Sequence, residues 1–164
     1  MGANERRGGD VDLFVAVAIG GVIGAFARHA VDLVFPTATD QWPTATFIIN
    51  LTGAFILGMV LEAAVAFAPD PAASTFARRL RPFLVTGVLG GYTTFSTYMV
   101  EAHGLMISGR SPLALLYVFA SLLVGVVLVM LGMAAGRALF GRKDETADEV
   151  AAEAEDLRLL EDEA

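Results

Sequence analysis

The sequence predicts an all-α membrane protein of four transmembrane helices, the third broken near its centre. Three observations carry this expectation. The chain of 164 residues is 55% hydrophobic and only 18% charged, against about 45–50% apolar and about 25% charged in soluble domains. Four stretches, 13–27, 41–61, 82–100 and 111–136, contain no Asp, Glu, Lys or Arg. In the third of them glycine and threonine crowd around Gly90. An ordinary soluble enzyme domain would have no core large enough for that apolar surface. The absence of cysteine also removes disulfide frameworks, thiol nucleophiles, thiolate zinc sites and iron–sulfur clusters.

Each span follows from a run of apolar residues and a local start signal. A helix needs roughly 20 predominantly apolar residues to cross a hydrocarbon core of about 30 Å. The first span, about 11–33, extends the run that ends at Ala27 past Arg28. Arg6 and Arg7 precede it like the charged head of a signal peptide, but no clear small-residue cleavage site follows, and three more spans do. A retained first helix is therefore expected. The second span, about 44–68, opens at Thr44 after Pro43, the third, about 82–107, at Pro82, and the fourth, about 112–140, at Ser111-Pro112. Proline at these positions suits a first helical turn. The expected organisation is an N-terminal segment 1–10, a transmembrane domain 11–140 and an acidic tail 141–164.

Charge is divided along the chain. The formal net charge is −7, but ten of the 18 acidic residues lie between Asp144 and Ala164, and residues 1–143 hold 8 acids against 10 bases, a net of +2. The tail, with Leu157, Leu159 and Leu160 as its large apolar cluster, reads as a solvated extension. Four crossings collect Arg6, Arg7, Arg78, Arg79, Arg81, Arg137, Arg142 and Lys143 on one side and leave Arg28 and Arg110 on the other. Positive residues stay cytoplasmic, so both termini are expected inside the cell, with the protein in the cell membrane.

The informative residues are the polar ones inside the spans, because hydrocarbon penalises a polar side chain that faces neither protein nor a water-filled path. Thr46 and Asn50, four apart, share one face of the second helix, with Gly53 nearly one turn on. Tyr117, Ser121 and Gly125 repeat that spacing in the fourth. Such groups serve either as glue between helices or as the wall of an ionic path, and the residues alone leave both open. The pairs Gly20/Gly24 and Gly132/Gly136 read as packing faces. Between Thr86 and Tyr98, Gly87, Gly90, Gly91 and several β-branched threonines weaken the helix. Carbonyls freed there need partners: side-chain hydroxyls, or a small cation bound by the backbone oxygens of Gly90 and Thr93. Phe95 and Tyr98, three apart, lie on one face just beyond. They either pack or present their positive ring edges to an anion beside the neutral donors. His29 and His103 are isolated and carry no expected metal or catalytic role.

Three motifs resemble those of one family. Gly20-Gly-Val-Ile-Gly-Ala-Phe-Ala-Arg28, Thr46-Phe-Ile-Ile-Asn50-Leu-Thr-Gly53-Ala-Phe and Gly90-Gly-Tyr-Thr-Thr-Phe-Ser-Thr-Tyr98 are similar to the first, second and third helix motifs of the Fluc (CrcB) fluoride channels. The likeness runs over roughly residues 11–140 and excludes the tail. It implies an antiparallel dimer of four-helix subunits with two pores that export fluoride down its gradient. By that resemblance Asn50 is the pore asparagine, and Phe95 and Tyr98 are the pore aromatics. Thr94 and Ser96 belong to the same motif, and Thr46 lies in the second. Tyr117 and Ser121 are pore residues of the fourth helix, Glu101 is an acid at the pore end, and Arg28 is the first-helix arginine. The carbonyls of Gly90 and Thr93 from both subunits would hold a structural sodium ion. Position 98 is Tyr where the family usually has Phe, so its hydroxyl is expected at the pore wall. Gly125 falls where some members have Ser.

The implied partners are fluoride, membrane lipid and either a second copy or an oppositely oriented paralogue, with no nucleic acid. The charge bias of eight against two favours the paralogue, because one sequence would otherwise have to insert both ways. The rival reading is a small four-helix proton-coupled multidrug exporter, which needs a titratable acid at the midplane. None lies between Leu13 and Ala27. A non-transporting assembly subunit would need only the glycine faces. No nucleophile–base pair or metal-ligand cluster suggests an enzyme.

Overall fold

A computed structural model describes residues 3–38, 40–66 and 80–141, with side chains from Val11 onward. The acidic tail beyond Gly141, and Arg78, Arg79, Arg142 and Lys143, lie outside the described residues. The described chain is helical throughout: α1 (Ala3–Val34), α2 (Thr44–Ala66), α3 (Pro82–Leu89 continued by Gly90–Tyr92), α4 (Phe95–Ile107) and α5 (Ser111–Phe140). Three segments are long and apolar enough to cross a membrane: Val11–Val34, Thr44–Ala66 and Ser111–Phe140. The fourth crossing is shared by α3 and α4. It is broken as expected, with Thr93 (φ −74°, ψ 156°) and Thr94 (φ −146°, ψ 125°) extended between the two helices. Multi-pass membrane architecture follows directly.

Two features go beyond the sequence reading. Helix α1 begins at Ala3 rather than near residue 11, adding about two turns before the apolar run. Helix α3 is wound as a π-helix over Pro82–Leu89, and the Gly90 amide donates to Val85 O, five residues back. Such wide turns are rare and cluster at functional sites.

Glycine sets the packing. Gly20 approaches Phe83 O and Gly87 Cα, Gly24 faces Val88 O and Gly91, and Gly91 faces Gly21. Numbering rises together on α1 and α3, so the two helices run parallel. On the other side Gly58 meets Val129 O, Gly132 meets Phe55 O, and Gly136 lies against Glu62 and Met59. Helices α2 and α5 are therefore parallel too, as alternate crossings must be. Small residues permit such approach where no hydrophobic force drives helices together in lipid. Many large apolar side chains of α1 and α5, among them Phe26, Phe119 and Leu123, face outward.

Helices α4 and α5 form an antiparallel hairpin. Gly109 takes φ +75°, and Gly109 N and Arg110 N donate to Met106 O and Leu105 O, the bonding of a Schellman cap. The buried cluster Ala102, Leu105, Ala114 and Tyr117 lies inside the hairpin, flanked by Trp42, Phe47 and Tyr98. Arg110 pairs with Asp40 at 3.1 Å at this end, and Arg137 pairs with Glu62 at 3.0 Å at the other.

The glycine contacts separate two kinds of position. A methyl group at Gly58 or Gly132 would collide with backbone oxygen, whereas a Cβ at Gly125 would meet only Leu51 Cδ2 at 3.9 Å. Gly58→Ala and Gly132→Ala should each destabilise the protein by about 1–3 kcal/mol, the usual cost of overpacking. Gly125→Ser should stay within about 0.5 kcal/mol of the parent, as unstrained substitutions do. Thermal unfolding in detergent micelles checks both.

Candidate functional site

The site is organised by the break. In an uninterrupted helix the Thr94 amide would donate to Gly90 O. Here it donates to Asn50 Oδ1 at 2.9 Å, and Asn50 Nδ2 donates to Thr94 O at 3.0 Å. One amide side chain on α2 thus takes both backbone groups of Thr94. The Thr93 hydroxyl donates to Leu89 O at 2.8 Å, sealing the last turn of α3. Thr94 Oγ1 caps α4 by accepting from the Thr97 amide at 3.2 Å, as N-cap threonines do. It also contacts Thr97 Oγ1 at 3.0 Å and Ser96 Oγ at 3.3 Å.

Beside the break lies an open-sided cavity of about 540 Å³, lined by Asn50, Thr93, Thr94, Phe95, Tyr98, Met99, Val118, Ser121 and Leu122. Its walls carry no charged side chain. Ser121 Oγ is buried and, among the described residues, is the buried side-chain polar atom with no hydrogen-bond partner. The Asn50 amide group has a second N–H beyond the one given to Thr94 O. Phe95 and Tyr98 stand 5.9 Å apart with planes tilted by 42°, and Phe95 is 75% exposed at the open side.

A second polar cluster continues from Tyr98 toward the α4–α5 turn. The rings of Tyr98 and Tyr117 are 5.0 Å apart. The Tyr117 hydroxyl donates to Glu101 Oε2 at 3.0 Å, and the Thr46 hydroxyl donates to Glu101 Oε1 at 2.9 Å. Trp42 closes this end edge-on to Tyr117 at 5.4 Å. Thr46 and Tyr117 are almost fully buried, so the Glu101 carboxylate is held by two dry hydroxyls.

The structure brings most of the expected residues together. Asn50, Thr94, Phe95, Tyr98 and Ser121 share the cavity, Ser96 adjoins it through Thr94, and Thr46, Glu101 and Tyr117 form the adjacent cluster. Arg28, on α1, lines neither. The Tyr98 hydroxyl, expected at the pore wall, donates to Val118 O at 2.9 Å, and both residues line the cavity. Sequence reasoning missed Val118, Met99 and Leu122, which look like lipid-facing aliphatics, and Val118 contributes through its backbone, which leaves no trace in residue type. Trp42 was signalled only as the one tryptophan of the chain.

A broken membrane span with an uncharged, largely apolar cavity beside it, carrying a few polar groups, defines a small multi-pass helical membrane protein. The family model described as CrcB-like protein, Camphor Resistance (CrcB), matches residues 15–133, and the chain belongs to that CrcB family. Similar proteins include "Fluoride-specific ion channel FluC 3" of Streptomyces avermitilis, 40% identical over 131 residues, or 80% of this chain and 61% of that protein. "Fluoride-specific ion channel FluC" of Chlorobium chlorochromatii is 38% identical over 125 residues, covering 76% of this chain and 92% of that protein. "Fluoride-specific ion channel FluC 1" of Streptomyces coelicolor is 41% identical over 121 residues, covering 74% and 75%. The chain thus spans less than two thirds of the Streptomyces avermitilis relative. These relatives are channels by name, so the family is not one of enzymes.

The Glu101 cluster makes a separable prediction. Thr46→Val and Tyr117→Phe each strip one donor from a carboxylate and should each cost about 1–3 kcal/mol, while Thr46→Ser should retain most of the stability. Chemical unfolding in detergent micelles measures the difference.

Proposed function

We propose that the chain is a fluoride-specific ion channel that lets fluoride leave the cell down its electrochemical gradient. The observation that carries this reading is the cavity beside the break, lined by the Asn50 amide, Ser121 and the rims of Phe95 and Tyr98, with the buried Ser121 hydroxyl unpartnered among the described residues. Fluoride is small and strongly hydrated. A pore must replace its water with donors, yet release it at the other end. Neutral hydroxyls, an amide and positive ring edges meet both demands, whereas a buried cation would hold the ion. Glu101 with its two hydroxyls lies toward one end of such a path, and Arg28 is assigned to drawing anions toward the vestibule.

The working unit is proposed to be an antiparallel dimer with two pores. Phe95, Ser96, Thr97 and Thr52 are exposed near the break. The three hydroxyls are bonded within the chain, and a second subunit is expected to cover this face of the break. The carbonyls of Gly90 and Thr93 are assigned to a structural sodium ion. Diversion of the Thr94 amide to Asn50 takes the helical partner from Gly90 O, and the extended Thr93 turns its carbonyl out of the helix. Hard oxygens suit sodium, and two carbonyls from one chain make half a site, which agrees with a dimer. Arg81 and Arg137 are exposed toward the end of the molecule that also holds Glu62. This supports a cytoplasmic placement of that end, of both termini and of the tail 141–164, with 11–140 as the channel domain. The charge bias favours an oppositely oriented paralogue over a second copy as the partner.

Proteoliposomes loaded with fluoride test the reading, with chloride and a cationic dye as controls. Fluoride alone should leave. Dye transport would indicate an exporter, and no flux from either this chain alone or a co-expressed pair would reject the channel. Asn50→Asp replaces an amide that donates to Thr94 O with an acceptor and should lower fluoride efflux at least about a hundredfold, the scale of losing a preorganised donor in a dry site. Exchanging sodium for potassium during purification should shift the dimer toward monomer on size exclusion, and an unchanged elution profile would reject the carbonyl site.

A further inference from the structure

We propose that the Tyr98 hydroxyl is a strap that fixes the bore of the cavity by tying the first turn of α4 to the backbone of α5, and that it sets the discrimination between fluoride and larger halides. The inference rests on the channel reading above. The hairpin of α4 and α5 is closed at its turn by Gly109 and the Schellman bonds. It is tied midway by Tyr117 and Glu101. At its open end, α4 starts after the extended Thr93 and Thr94, where Asn50 ties Thr94 to α2. The hydrogen bond from Tyr98 to Val118 O, 2.9 Å long, ties that end of α4 directly to α5.

The bond leaves the ring chemistry untouched. The hydroxyl is spent on a carbonyl, which has two lone pairs and can accept it while keeping its helical partner. What faces the cavity is then the ring, as phenylalanine would present it. The difference is position: a phenyl ring here would be held by packing alone, while the tyrosine is anchored at its far tip. Tyr98 stands 5.9 Å from Phe95 and 5.0 Å from Tyr117, so its anchored ring lies between the exposed Phe95 and the buried Tyr117 that Glu101 already holds. Asn50 fixes the start of α4 against α2, the Tyr98 bond fixes its separation from α5, and the width so set is what separates a small halide from a large one.

The experiment measures fluoride and chloride efflux from the same proteoliposomes, reconstituted from the full chain with whichever partner supports flux. Tyr98→Phe should raise chloride relative to fluoride by about threefold to tenfold, the range expected when one hydrogen bond is lost. The amine of 4-aminophenylalanine, introduced at position 98 by codon suppression, can donate to Val118 O and should restore the parent ratio. A purely structural role would lower thermal stability and leave the ratio unmoved. An unchanged ratio in Tyr98→Phe overturns the strap, as does an amine variant that behaves like phenylalanine. If Tyr98→Phe does not fold, ring-labelled tyrosine placed at position 98 alone by codon suppression reports the C–O stretch of that residue, and a frequency other than that of a hydroxyl that only donates overturns the proposal. A parent protein that passes no fluoride fails the channel reading itself, a result distinct from a parent that passes fluoride with a strap that does nothing.

Discussion

Everything in this fold answers to the bond pair between the Asn50 side chain and the backbone of Thr94. A membrane span cannot open in hydrocarbon without leaving amides and carbonyls unpaired, each costing several kcal/mol. An asparagine can close such a gap alone, because its side chain offers an acceptor and a donor in the arrangement of a peptide group. Placed on α2 opposite the opening, it substitutes for the helical neighbours that Thr94 gives up. The Thr93 hydroxyl and the Thr94 cap complete the sealing on either side. The gap is thereby stable, and it separates two helices that can pack on different partners.

That separation explains the division of labour among the remaining contacts. Before the gap, α3 lies on α1 through glycines so closely that backbone meets backbone. Beyond it, α4 leaves α1 and pairs with α5 through aromatic and hydroxyl side chains, with Tyr98, Glu101, Leu105 and Tyr117 taking the places that glycine holds elsewhere. Close glycine contact leaves no room for a ligand, while bulky, polar contact between α4 and α5 leaves a lined space. The cavity lies where one mode of packing gives way to the other.

Much of this was legible in the sequence, and the limits are physical. Runs without charge gave four crossings, and the glycine and threonine density around Gly90 marked the opening, because both signals depend only on residue type. The four-residue spacing of Thr46 and Asn50, and of Tyr117 and Ser121, put the site residues on faces that do meet. What could not be read was anything held by the main chain. The π-winding of Pro82–Leu89 has no residue signature, since the same glycines and β-branched residues serve an α-helix equally. The partner of the Tyr98 hydroxyl could not be read for the same reason: its acceptor is a carbonyl, and every residue has one. Glu101 stood in the sequence as an isolated acid near a helix end, and only the fold shows it held by two hydroxyls from two other helices.

The absence of charge from the cavity walls is the more telling because charge was within reach. Glu101 lies one turn along α4 from Tyr98, and a lysine or arginine at Met99 or Leu122 would have faced the same space. A cationic wall would attract an anion strongly, but in a water-poor site the attraction would be several times what it is in solution, and the ion would stay. Hydroxyls and an amide, fixed by their own bonds to the backbone, offer directed donors at a fraction of that strength. They also cost less to bury, since the Thr93, Thr94 and Tyr98 hydroxyl protons are each taken within the protein and the Asn50 amide, with two N–H groups, keeps one to spare after bonding Thr94 O. Ser121, whose buried hydroxyl lacks a partner among the described residues, stands at the same wall as the one polar group there whose burial the protein's own bonds do not offset.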